Sequence, residues 1–227
     1  MQFKKVTHVI FDLDGTLIES ESIYEKIIDD IAKLYGKRYT EECQHKVLGT
    51  REPDTAKIVV QELGLPITPE EFLVLFRKNQ ETELAQTEML PGAKELVTHL
   101  HKKGIPIAVA TSASEKATQI KSKNHQDVFK LFHHIVCGSS DPAVKNGKPA
   151  PDIFLVCASR FSDNPNPSDC LVFEDAPSGI RGALSAGMQA VMVPEPHISE
   201  ELRKPATLVL DSLTQFKPEL FGLPAME

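Results

Sequence analysis

Six short apolar runs recur along this chain and alternate with stretches of helical periodicity. The runs are 6–11, 105–110, 135–137, 170–173, 190–193 and 207–210. Each is strand-length, rich in Val and Ile, and close to continuously apolar. Strands buried on both faces read this way, and such strands belong to parallel sheets. The stretches 92–103, 115–125, 151–160, 177–186 and 199–204 read as helices. Pro91 and Pro177 suit helix starts, and Gly104 and Gly187 suit helix stops. Strand alternating with helix predicts an α/β fold with a doubly wound parallel sheet.

One stretch breaks the alternation. From about residue 19 to 87 the periodicity is helical, over 21–35, 40–48, 52–63 and 69–84, with no convincing strand. An all-helical insert after the first strand predicts a second, smaller domain. The expected division is a core of 1–17 and 88–227 with a helical domain of 18–87. A chain of 227 residues has room for one core and one satellite.

Composition narrows the function. Lys and Arg number 25 against 32 Asp and Glu, a net charge of −7. A nucleic-acid polymer calls for a basic excess, so no such partner is expected. No segment reaches the ~18 apolar residues of a membrane span, and the short run at the N-terminus breaks on Asp12 and Asp14, unlike a signal peptide. Cys43, Cys137, Cys157 and Cys170 lack any CxxC spacing. Cys137 and Cys170 lie in apolar runs and read as small buried residues. Asn166 is followed by Pro167, which removes the only Asn-x-Ser as a glycosylation acceptor. A reducing, cytoplasmic location fits these features.

Ligands of open α/β sheets bind beyond the carboxyl ends of the strands. After the first run come Asp12 and Asp14, in FDLDGT. After the second come Thr111 and Ser112, and after the fourth Glu174 and Asp175. The loop beyond the third holds Lys148, in GKPAPD. Alone, each piece has a plainer reading: a turn, a helix cap, a solvated lysine. Together they place carboxylates, hydroxyls and a lysine on one edge. Clustered carboxylates repel and need a cation between them, and hard oxygen donors suit Mg²⁺. Such an ion, with a lysine and a hydroxyl, is what a transferring phosphoryl group requires. No GxxxxGK[ST] loop is present, so a P-loop enzyme is not expected. Asp12 can then take the phosphoryl group itself, splitting one displacement into two. Asp14 can protonate the leaving oxygen and later deprotonate water. Gly15 allows the sharp exit from the strand.

These residues resemble the haloacid dehalogenase-like hydrolases. FDLDGT matches the family's first motif, Ala110–Ser112 (ATS) the second, Lys148 the third, and 173–179 (FEDAPSG) the fourth. The resemblance implies a Rossmann-like core, a helical cap inserted after the first motif, and Mg²⁺-dependent phosphoryl transfer. It implies Asp12 as nucleophile and Asp14 as acid/base. Mg²⁺ would be held by the side chains of Asp12 and Asp175 and by the Asp14 backbone carbonyl. Thr111, Ser112 and Lys148 would bind phosphoryl oxygens, with Glu174 behind the metal ligands. Over 6–224 the chain is similar to the pseudouridine-5′-phosphatase group within that family. This resemblance implies a phosphomonoesterase of a small phosphorylated metabolite, acting as a monomer, with pseudouridine 5′-monophosphate first among substrates. Glu19 stands where that group has a shorter acid, and Ala150 where a second aspartate is usual.

A cap closing over the site would set specificity. Glu19, Tyr24, Lys46 and Lys57 fall at its hinge or on its facing helices. Gly49, Thr50 and Arg51 form a polar break between two helices and read either as a substrate contact or as a plain turn. His8, His133 and His134 read as structural. Three other functions fit the pattern: a phosphosugar phosphatase, a phosphomutase similar to β-phosphoglucomutase, and a non-catalytic binding protein on the same fold. Five intact acidic, hydroxyl and lysine positions weigh against the last.

Overall fold

Along the first strand, β1 (His8–Phe11), successive side chains part to opposite faces. Val9 and Phe11 join one hydrophobic cluster and Ile10 joins another. Both faces are therefore buried, which explains the unbroken apolar run. The protein is described as a computed structural model covering residues 3–196 and 198–226.

The other strands are β2 (Ile18–Glu19), β3 (Glu88–Met89), β4 (Ile107–Thr111), β5 (His134–Cys137), β6 (Cys170–Glu174), β7 (Gln189–Met192) and β8 (Leu208–Val209). The helices are α1 (Glu21–Leu34), α2 (Glu41–Val47), α3 (Glu52–Leu63), α4 (Pro69–Glu83), α5 (Ala93–Lys102), α6 (Glu115–Ser122), α7 (Gln126–Phe129), α8 (Asp152–Ser159), α9 (Pro177–Ser185) and α10 (Glu200–Arg203).

Six strands form one parallel sheet in the order β5-β4-β1-β6-β7-β8. Helices α5 and α7 cover the face holding Val9, Phe11, Val109 and Phe173. Helices α8 and α9 cover the other, holding Ile10, Ala108, Val172 and Ala190. This is the doubly wound, Rossmann-like architecture that the alternation predicts.

Helices α1–α4 gather around a cluster of their own. Ile27, Ile31, Val59, Phe72 and Phe76 are its centre. Thr68 opens α4 with a capping box, its hydroxyl accepting from Glu71 N–H while the Glu71 carboxylate accepts from Thr68 N–H. Gly64 closes α3 in the left-handed conformation. The chain enters and leaves this unit through an antiparallel ribbon, Ile18 opposite Met89 and Glu19 opposite Glu88. The ribbon departs from the strand-free reading of this stretch; two-residue strands leave no periodicity to detect. Most predicted elements are trimmed by one or two residues, and 115–125 divides into α6 and a 3₁₀ turn. Among the described residues no helix is long and apolar enough to cross a membrane.

Candidate active site

Because β1 lies between β4 and β6, their carboxyl ends deliver side chains to one point. Asp12 N–H extends the ladder to Phe173 O at 2.9 Å, which fixes the residue just past β1. Gly15 follows with φ +73°, a turn an L side chain resists. Thr111 ends β4, and Glu174 ends β6 with Asp175 next. Lys148 arrives from the loop after β5. Its ammonium lies 2.5 Å from Asp12 Oδ1, 2.6 Å from Glu174 Oε1 and 3.3 Å from Ala110 O, with the side chain 1% exposed. The structure thus brings together residues from four separate segments.

Glu174 owes its place to Gly179. A Cβ on Gly179 would fall 1.7 Å from Glu174 Oε1. The carboxylate occupies that space, with Oε2 accepting from Ala176 N–H at 2.8 Å. Both Glu174 oxygens are therefore engaged, one by Lys148 and one by the start of α9.

The charge balance of this edge is negative. Burial pushes Asp12 up to about 7; the Lys148 ammonium pulls it down, while Glu174 and Asp14 push it further up. Burial, then Glu174 and Asp12, hold Asp175 well above the ordinary carboxylate range. Burial acts to lower Lys148, but Asp12 and Glu174 outweigh it and raise its pKa. Asp12, Glu174 and Asp175 each offer an oxygen, all within 4.8 Å of one another and all buried. One interior ammonium does not balance three carboxylates, so the donors fit a hard divalent cation. With Glu174 tied on both oxygens, Asp12 and Asp175 are the side chains left to hold it.

The Asp14 carboxylate lies outside that cluster. Ser20 Oγ donates to its Oδ1 at 2.5 Å, and Thr111 Oγ1 to its Oδ2 at 3.4 Å. Lys121, on α6, reaches both oxygens at 2.6 Å and Tyr24 OH at 3.1 Å. Sequence reasoning missed Lys121. It stands among Lys116 and Lys123 on a short polar helix, and only its complete burial separates it from them.

A cavity of about 270 Å³ opens above this edge, between the sheet and the helical unit. Gly49, Thr50 and Ser112 line it; Arg51 does not. Arg51 turns outward to Asp54 (Nε to Oδ2, 3.1 Å) and to Lys145 O (3.3 Å). It packs over Gly147, beside the Lys148 loop. The turn before α3 is docked on the core: Ser112 Oγ donates to Gly49 O at 2.9 Å, Glu52 N–H to Ser139 Oγ at 3.2 Å, and Ser114 Oγ to Glu52 Oε1 at 2.8 Å. Glu19 and Tyr24 line the cavity, whereas Lys46 pairs with Glu42 and Glu62 on the surface. Lys57 is exposed. His8 bonds Asp163, His133 the Ile107 backbone and His134 Cys157 O, all remote from the cavity.

Comparison with known proteins agrees with this geometry. Residues 6–187 match the family model of haloacid dehalogenase-like hydrolases. The chain is 48% identical to a probable pseudouridine-5′-phosphatase of Drosophila melanogaster, over 98% of this chain and 96% of that one. It is 41% identical to (DL)-glycerol-3-phosphatase 2 of Arabidopsis thaliana, over 98% and 93%. Among solved structures it is similar to a β-phosphoglucomutase from Clostridium difficile, with a TM-score of 0.78, 26% identity and 94% of each chain covered.

Proposed function

This chain belongs to the haloacid dehalogenase-like hydrolases and is a phosphoric monoester hydrolase, and we propose that it works through a phosphorylated Asp12 with Mg²⁺ as its metal. The observation that carries this reading is Asp12 itself. It is a buried carboxylate at the mouth of a cavity, held by Lys148 on one oxygen and flanked by Asp175.

Asp12 attacks phosphorus as its bond to the leaving oxygen breaks, and Asp14 supplies the proton that oxygen needs. Water then attacks the aspartyl phosphate, Asp14 takes its proton, and inorganic phosphate leaves with Asp12 restored. Lys148, Thr111 and Ser112 bind the phosphoryl oxygens, and Lys148 pulls Asp12 back toward its anionic form against its burial. Asp12 and Asp175, with the Asp14 backbone carbonyl, would hold Mg²⁺. When bound, the ion neutralises charge on the phosphoryl group and between the carboxylates. Glu174 anchors Lys148. Residues 18–87 serve as a cap that excludes water and presents Gly49 and Thr50 to the leaving group.

The substrate is a small phosphorylated metabolite, with pseudouridine 5′-monophosphate placed first on the similarity to the fly protein. We take the enzyme to act as a cytoplasmic monomer. Likeness to the β-phosphoglucomutase structure supports a second reading, a phosphomutase, which would return the phosphoryl group to give an isomer. The test is phosphate release from nucleoside and sugar monophosphates with Mg²⁺ and with EDTA. Release that needs the metal supports the proposal. Isomer without phosphate supports the mutase, and full activity after exhaustive chelation refutes the metal role.

A further inference from the structure

The cavity is asymmetric in charge. Its sheet side carries the phosphate-binding edge, with Lys148 buried beneath. Its helical side presents Glu19, Glu21, Glu25, Tyr24 and Thr50, and no Lys, Arg or His lines it among the described residues. Glu19 is occupied by Ser22, through both its N–H and Oγ. Glu52, also in the lining, is neutralised from outside by Arg77 at 3.0 Å. Glu21 and Glu25 have no ion pair among the described residues; Lys121, a buried cation whose charge acts on Glu21, is committed to Asp14. Glu21 also starts α1, where an acid suits the helix dipole. That preference does not account for Glu25, one turn further on.

An unpaired buried donor stands among these acids. Gln80, on α4, lines the same cavity and is 3% exposed, and its Nε2 has no hydrogen-bond partner. A buried donor left unpaired is costly, so an acceptor is missing from the site.

These facts constrain the leaving group. A second phosphate or a carboxylate would find no cation on this side; burial, then Asp14 and Asp12, already push Glu21 up to about 8, a further anion would add to that repulsion, and Glu25 adds its charge from the exposed rim. Hydroxyls and ring N–H groups would meet acceptors. Gln80 requires that the ligand also accept, which a hydroxyl or carbonyl does and an alkylammonium does not. We propose that the helical side of the cavity, through Glu21, Glu25 and Gln80, selects phosphomonoesters with an uncharged, hydroxyl- or imide-bearing leaving group and rejects those with a second anionic group. This rests on the phosphatase reading and sharpens it. It also disfavours the mutase, whose bisphosphate form would put a phosphate at this wall.

The experiment compares pairs that differ in one remote charge: glycerol 3-phosphate with 3-phosphoglycerate, and glucose 6-phosphate with 6-phosphogluconate. O-phosphoethanolamine provides the cationic case. Values of kcat/KM are measured by phosphate release. Dissociation constants are measured by calorimetry on the Asp12→Asn variant, which reports binding without turnover. The neutral member of each pair is expected to win by about tenfold or more. The double variant Glu21→Gln, Glu25→Gln is expected to narrow that ratio. Equal kcat/KM and equal Kd within both pairs would overturn the inference, as would a ratio untouched in the double variant. Preference for phosphoethanolamine over glycerol phosphate would overturn the requirement for an uncharged group. No phosphate release from any compound, with the Kd ratio intact, would defeat the phosphatase reading and leave the selectivity standing.

Discussion

Lys121 holds both carboxylate oxygens of Asp14 at 2.6 Å with its own side chain wholly buried. One ammonium bridging two oxygens fixes the plane of the carboxylate. Tyr24 OH, on α1, touches the same ammonium, so the helical unit and the sheet share this contact.

Replacing Lys121 by Met leaves Asp14 without its cation. Breaking a buried pair from one side costs about 3–5 kcal/mol, and the lower end applies because Asp14 is partly exposed. Urea unfolding checks this, and the double variant with Asp14→Asn should recover part of the loss. In activity, Lys121→Met should lose more with an alkyl phosphate, whose leaving group needs a well-placed acid, than with p-nitrophenyl phosphate. An equal loss on both would reduce Lys121 to a structural role.

The two aspartates should separate by leaving group. Asp12→Asn removes the nucleophile and should abolish turnover of every substrate. Asp14→Asn should still be phosphorylated slowly by p-nitrophenyl phosphate, which needs little protonation. Trapping of phosphoenzyme distinguishes them; equal loss with good and poor leaving groups would contradict the acid/base role.

Gly179→Ala would improve helix propensity by about 0.5–1 kcal/mol at an ordinary site. Here the added carbon meets Glu174 at 1.7 Å. Glu174 must move, and Lys148 with it. The expected result is lower stability and a uniform loss of kcat/KM on all substrates. Thermal unfolding and a substrate panel measure both, and a stabilised, active variant would show that Glu174 is not tightly seated.

Metal and proton should compete at Asp12 and Asp175. Both are raised on folding without metal, Asp12 to about 7, so the folded state binds protons more tightly than the unfolded one. Their contribution to stability is full below the unfolded value of about 3.8 and is lost as pH rises through about 7. A divalent ion replaces the missing proton. The rise in Tm on adding Mg²⁺ should therefore be larger at about pH 8 than at about pH 5. A shift independent of pH would place the ion elsewhere.

Thr50 and Arg51 should behave differently although they are adjacent. Thr50 lines the cavity, so Thr50→Val should reorder the preference among substrates. Its hydroxyl also bonds Val47 O and Thr55, which makes some general loss part of the expectation. Arg51 fastens the turn to Lys145 O, so Arg51→Ala should lower kcat/KM on all substrates alike. A reordered ranking for Arg51→Ala would put its side chain on the substrate.

What was legible in the sequence came from backbone rules. Continuous apolar runs marked buried strands, and polar residues beyond them marked the edge where side chains gather, because a parallel sheet aligns its carboxyl ends. Asp12, Thr111, Lys148 and Asp175 were found this way. Lys121 was hidden because it comes from within a helix, where position along the chain does not reveal which face is buried. Arg51 shows the converse. A polar, glycine-containing break between two helices read either as a substrate contact or as a turn, and here the Arg51 side chain runs to Asp54 and a backbone carbonyl. Gly179 and Glu174 form a pair that no single position discloses, since the glycine matters only for the volume it leaves empty.

Val9 pairs with Ile107 on one side and Leu171 on the other. During synthesis β1 emerges before both of its neighbours, and β6 follows only after β2–β5 and α1–α8 have been made. Until then one edge of β1 has no native strand to bond. The β2–β3 ribbon eases the first of these closures. Once α1–α4 fold around their own apolar centre, Ile18 and Met89 stand side by side, and the loop separating β1 from β4 becomes entropically short. The second closure has no such aid, because β6 must arrive through α5, α6 and α8 in turn. Seating of Glu174 and Asp175 beside Asp12 therefore waits for this second closure, and the nascent protein holds no complete set of carboxylates before it.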